Sequence, residues 1–313
     1  MIRQAIFGAV LVVAQTASPG SQIPISRLKA DATLPVALAP GAVATDDAVW
    51  VLDGEAGTVA RIDAKANKVG TSVTVGGQPC ASLVSAFTSV WVPSCGARAV
   101  ARVNPVDSTV SARADIEVAN AEGRIAAGIG SIWVVSDRKG VVTRIDPDTN
   151  QAVAEIIIAG GAAAVLFHDG ALWVTSGSGK KLTRVNPHNN EIVETIEVGP
   201  TPLRLAASDG AVWTLNQGDG SVSRVDTATN KVVVTVNIGA EVAAGEIAAG
   251  EGSVWVSAPG VPLVRIDPRT NKVAQRFSGD GGGAILVAHG SLWLAAGAQT
   301  LRLDPKLVAA MRP

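Results

Sequence analysis

The sequence contains no tyrosine, four phenylalanines, three histidines and two cysteines. Each shortage excludes something. Few mobile aromatics disfavour recognition by stacking, which sugar, quinone and single-stranded nucleic-acid sites use. Two cysteines, Cys80 and Cys95, with no Cys-x-x-Cys pattern and no histidine nearby, argue against a redox pair or half of a zinc site. Lys+Arg is 26 against Asp+Glu 27, so the chain lacks the basic excess expected of a nucleic-acid or anionic-membrane binder. No apolar run approaches the roughly 20 residues a membrane helix needs, so no stable membrane insertion is expected. With 17% charged and 47% hydrophobic residues, the chain is not disordered.

A short apolar run, Ala5–Val13, follows Arg3 and precedes the small, polar Ala14–Ser18. That order reads as an export signal over residues 1–18. It implies a periplasmic or secreted protein, and residues 19–313 form one domain.

The seven tryptophans are the organising feature: Trp50, Trp91, Trp133, Trp173, Trp213, Trp255 and Trp293, at intervals of 41, 42, 40, 40, 42 and 38 residues. An Arg–aliphatic–Asp/Asn triplet follows each at near-constant distance, from Arg61-Ile62-Asp63 to Arg302-Leu303-Asp304. Turn dipeptides such as Asp169-Gly170 and His289-Gly290 precede the tryptophans, and turns such as Asp146–Asn150 follow the arginines. Each unit therefore reads as four short strands, A to D, with no helical period between them. Seven such units of about 40 residues predict an all-β, seven-bladed propeller of four-stranded antiparallel blades. Only eleven residues follow Arg302, too few for a full strand D. Ile25–Leu34 stands where a strand D should be, so the N-terminal segment is expected to close the last blade.

Gly252–Val256 (GSVWV), Gly170–Val174 (GALWV) and Arg265–Val273 resemble two related groups. These are the YVTN-type propellers of exported bacterial and archaeal proteins, and the streptogramin-lyase-like (virginiamycin B lyase) propellers. The resemblance spans roughly residues 25–305 and rests on residues that build blades. It implies, for the lyases, a histidine pair, an acid and a magnesium ion at the ligand mouth. No residue here matches those histidines. His168 and His289 fall at A–B turns and His188 at a C–D turn, away from that mouth. Where the lyases often carry Glu three residues after the tryptophan, this chain has Asp53, Ser94, Ser136, Ser176, Asn216, Ala258 and Ala296. Binding of DNA or an envelope polymer, which some YVTN-type propellers suggest, is opposed by the balanced charge and missing aromatics.

Cys80 and Cys95 straddle the expected A–B turn at Phe87–Thr88, where facing antiparallel strands would permit a disulfide. The aspartates of the Asp-Pro turns, Asp146 and Asp267, read as turn formers accepting their own N–H groups, and no metal site is expected from them. Nine residues before each tryptophan stand Gly41, Ser82, Arg124, Ala164, Arg204, Glu246 and Ala284. Small residues suit strands crowded round an axis. Arg124, Arg204 and Glu246 break that rule on blades three, five and six, and would meet near the channel mouth as an internal clamp or an anion site. Asp53, Glu55, Arg98, Asp137, Arg138, Lys139, Lys180, Lys181, Gln217 and Asp219 of the B–C loops form the rim.

The sequence therefore leads to a monomeric, non-catalytic binding module, without cofactor, for a protein or a small anionic ligand, with Arg124, Arg204 and Glu246 as its site. The alternative is a lyase-like enzyme acting on a cyclic ester or lactone at the same mouth.

Overall fold

A computed structural model describes residues 22–80, 82–119 and 124–313; the export-signal segment lies outside them. Seven separate sheets succeed one another along the chain. Blade five is representative: strand A Pro202–Ser208, B Ala211–Asn216, C Ser221–Asp226 and D Lys231–Asn237, each antiparallel to the next. Residues in or just ahead of the A strands of all seven blades line one axial cavity. The fold is a seven-bladed propeller.

The spacing of Trp and Arg has a direct cause. In every blade the tryptophan on strand B faces the arginine on strand C, as Trp50 faces Arg61 and Trp213 faces Arg224. Every tryptophan is fully buried. In blades two to seven the guanidinium lies over the indole at 4.9–6.0 Å, a favourable cation–π contact. The apolar core lies between blades. Trp213 of blade five packs with Val254, Val256 and Ile266 of blade six, and Trp293 of blade seven with Val49, Val51 and Ile62 of blade one. One sheet covers the face its neighbour leaves open.

The arginines of blades two, three, four, five and seven also latch neighbouring blades. Arg144 Nη1 donates to Pro187 O (2.9 Å) and Asn190 Oδ1 (3.2 Å) in the next C–D turn. Arg184 reaches Thr227 O and Asn230 Oδ1, and Arg224 reaches Pro268 O and Asn271 Oδ1. Each receiving Asn is left-handed, at φ 57–62°, a conformation asparagine tolerates better than most residues. Asp146 and Asp267 accept N–H groups of their own turns, from Asp148 (2.8 Å) and Arg269 (2.9 Å). The expectation that they are turn formers is met.

One of these arginines keeps a buried donor without an acceptor. In blades two, three, six and seven a serine two residues before the tryptophan accepts from the arginine Nε, as Ser131 does from Arg144 at 2.8 Å. Blade five has Ala211 there, and the Arg224 Nε is buried without a partner. Ala211→Ser would supply the acceptor. It is expected to stabilise by about 1 kcal/mol, read as a rise of about 2 °C in Tm. Ala171→Ser, next to an arginine with no such orphan, should change little.

Closure follows the predicted route with two corrections. The strand that completes blade seven is Ala32–Leu34, antiparallel to Gln299–Leu303, so it is shorter than Ile25–Leu34. Ile25–Arg27 is a 3-10 turn, because the chain must turn back there. Ahead of it, Ile23–Pro24 adds a fifth strand to blade six, parallel to Lys272–Ser278. The residues after Arg302 form a short helix, Pro305–Ala310, capped by Asp304. Gln275 Nε2 holds its end through the carbonyls of Val308, Ala309 and Met311. Among the described residues no helix is long and apolar enough to cross a membrane.

Candidate functional site

The three exceptions to the small-residue rule converge. Arg124 begins just before strand A of blade three (Ile125–Gly128), Arg204 lies in strand A of blade five, and Glu246 opens strand A of blade six (Glu246–Gly250). Ring closure brings them together across the axis. Arg124 Nη2 donates to Glu246 Oε1, and Arg204 Nε donates to the same oxygen at 2.6 Å. Arg204 Nη1 also donates to Leu203 O at 2.9 Å. Arg124 is 9% exposed and Glu246 6%, values rarely reached by charged residues unless they are paired.

The pairing is unequal: two guanidinium groups share one carboxylate. Burial pushes the Arg124 guanidinium below the usual arginine range, Glu246 pulls it back up, and the charge of Arg204 pushes it down again. Arginine stays protonated even so, which leaves one net positive charge. Arg124 Nε is buried without a hydrogen-bond partner. The group lines a cavity of about 290 Å³ whose remaining walls are small or aliphatic, among them Leu166, Leu205, Ala207, Ala249 and Val287. Ser82 Oγ, in the same ring of positions, accepts from Ile125 N at 3.2 Å and ties blade two to blade three.

The disulfide Cys80–Cys95 is present, with Cα atoms 5.8 Å apart. It joins the D–A connection of blade two to the end of strand B, where Cys80 N donates to Pro93 O and Cys95 N to Gln78 O. It therefore rivets loops on the same mouth as the charged group.

The rim residues have other work. Asp53, Asp137 and Asp219 accept N–H groups within their own B–C turns, from Ala56, Lys139 and Ser221. Arg98 pairs with Glu117 at 2.7 Å on the surface. Gln217 holds the loop before Glu246 by donating to Gly245 O (3.0 Å) and accepting from Ala244 N (3.2 Å). Glu55, Arg138, Lys139, Lys180 and Lys181 are exposed. The histidines lie at turns remote from this mouth: His168 Nε2 bonds Ser208 O and His289 Nε2 bonds Ala48 O, each on the next blade, and His188 is exposed. Among the described residues no cluster of His, Cys, Asp or Glu could hold a metal ion.

Sequence spacing marked the charged triad. It placed Gln217 on the rim but gave no sign that its side chain orients the Glu246 loop, and no sign of the apolar walls, which read as ordinary strand residues.

No protein-family model matches the chain, and no curated protein matches it in sequence. Solved structures do. A streptogramin B lyase structure superposes with a TM-score of 0.73 at 17% identity, covering 87% of this chain and 94% of that one. A catalytically inactive virginiamycin B lyase from Staphylococcus aureus with quinupristin gives 0.69 at 18%, covering 84% and 94%. The Neurospora crassa Pan2 WD40 domain gives 0.68 at 12%, covering 86% and 90%. At these identities the likeness shows the fold, that of a streptogramin-lyase-like propeller. Proteins of unrelated roles share it, so function rests on the site.

Proposed function

We propose that this chain is an exported, non-catalytic binding module that holds a small anionic ligand at the channel mouth, against Arg124 and Arg204. One observation carries the reading: a nearly buried Arg–Glu–Arg group that, among the described residues, sums to one positive charge and has an unpartnered Arg124 Nε. Desolvated charge left unbalanced is unfavourable, and an anion relieves it. Export is supported by the Met1–Ser18 pattern and by a disulfide, which persists mainly outside the cytosol.

The lyase-like alternative draws support from the shared fold. The positions of the three histidines, each at a turn on the far side, weigh against it.

The test is a thermal-shift comparison of the protein from Pro19 onward with its Arg204→Gln variant, against small anions, metals, lactones and cyclic peptides. Anions should raise the Tm of the unaltered protein and not of the variant. Turnover of a lactone or cyclic ester would reverse the choice between the two readings. Equal shifts in both proteins would move the ligand away from this mouth.

A further inference from the structure

We infer that the ligand is a short aliphatic monocarboxylate, its carboxylate on the Arg124–Arg204 pair and its carbon chain along the propeller axis. This rests on the proposed anion-binding function and names its ligand class.

The first argument is charge. Among the described residues, Arg124, Arg204 and Glu246 are the ionisable ones in the cavity wall, and together they carry a net charge of plus one. A monoanion brings it to zero. A dianion such as phosphate overshoots to minus one, a cation raises it to plus two, and a neutral molecule leaves it unbalanced. Against walls that are mostly aliphatic each unbalanced charge is costly.

The second argument is shape. Two guanidinium groups present flat, forked donors, and the planar acceptor that matches them is a carboxylate. Glu246 offers both arginines a single shared oxygen, one hydrogen bond from each, and leaves Arg124 Nε without an acceptor.

The third is the rest of the wall. Apart from Ser82 and the charged group, the described residues of the wall are glycine and aliphatic, with no aromatic ring among them. Such a wall rewards methylene groups and offers nothing for stacking or for polar substituents. Its layout is directional: the charges sit at the start of the A strands, and Leu166, Leu205, Ala207, Ala249 and Val287 lie further along them. A polar head at one end and an apolar tail toward the other fit that gradient. A volume of about 290 Å³ sits at the lower edge of ligand pockets and is too small for a cyclic peptide.

Calorimetric titration with butanoate, hexanoate and octanoate, beside hexanol, hexylamine, hexyl phosphate and inorganic phosphate, tests the inference. Affinity should rise about four-fold per methylene until the channel is full. Hexanoate should bind at least ten-fold tighter than hexanol or hexylamine, and tighter than hexyl phosphate at a pH where that is a dianion. Arg204→Gln should weaken hexanoate at least ten-fold. Ala207→Leu, which leaves the charges in place, should move the best chain to a shorter one. Phosphate binding as well as hexanoate, or affinity independent of chain length, overturns the carboxylate inference and leaves the anion site standing. If no anion binds, both fall.

Discussion

Glu246→Gln is expected to lower folding stability by about 3–5 kcal/mol, the range found when one partner of a buried ion pair is removed. Glu246 Oε1 is the shared acceptor for two largely buried arginines on other blades. A neutral amide of the same shape leaves a net charge of plus two in place of plus one, with Arg124 and Arg204 repelling across the axis. Arg204→Gln should cost far less, because it leaves Arg124 and Glu246 as a one-to-one pair. Denaturant titration of the two variants beside the unaltered protein measures the difference. The Glu246→Gln variant should also regain stability as a monovalent anion is added, since a ligand that binds only the folded state stabilises it by mass action. Equal costs for the two variants would mean that the group is a clamp with no spare charge. No cost for either would mean that water screens the channel enough to make the pairing immaterial.

The second large effect is expected at the ring closure. A chain beginning at Pro35 lacks Ala32–Leu34, the strand that completes blade seven. Its removal abolishes the pairing of Ala32, Thr33 and Leu34 with Arg302, Leu301 and Thr300, together with the Asp31 N–Arg302 O bond (2.8 Å). It also takes away Leu34, which is 2% exposed. Burial of the leucine alone is worth roughly 2 kcal/mol. Blade seven would expose strand C as an open edge, which promotes association. The total approaches the 5–15 kcal/mol by which whole domains are stable. The truncated protein is therefore expected to lose its cooperative thermal transition or to aggregate. A chain beginning at Ala30 keeps that strand and loses Ile23–Pro24, the fifth strand of blade six, so it should fold with a lowered Tm. A cooperative transition in the Pro35 chain matching that of the longer protein would show that the ring closes without its clasp.

The two variants probe different kinds of information. The blade count, strand order and place of each tryptophan are written locally. A four-stranded unit needs its turn residues, its period-two apolar pattern and its Trp–Arg pair within about 40 residues, and all are visible in one pass. Even the Asp-Pro turns could be assigned, because an Asx turn is made by neighbours in sequence. The charged triad was legible as an exception: Arg124, Arg204 and Glu246 occupy a position where the other blades carry Gly, Ser or Ala.

Other features were out of reach because they join residues remote in sequence or depend on space left empty. Arg302 of blade seven bonds Ala64 O and Asn67 Oδ1 of blade one, a contact that exists only once the ring has closed. The same holds for Gln275 gripping the last helix, and for Ile23–Pro24, whose parallel pairing no hairpin rule predicts. Arg124 and Glu246 are 122 positions apart, and no local pattern says that their side chains share an oxygen. The sequence alone determined what each blade is, because a blade is held by neighbours along the chain. The tertiary structure decided how the ends lock and what the axis encloses, because closure brings all seven A strands to one line and leaves their odd charges nowhere else to go.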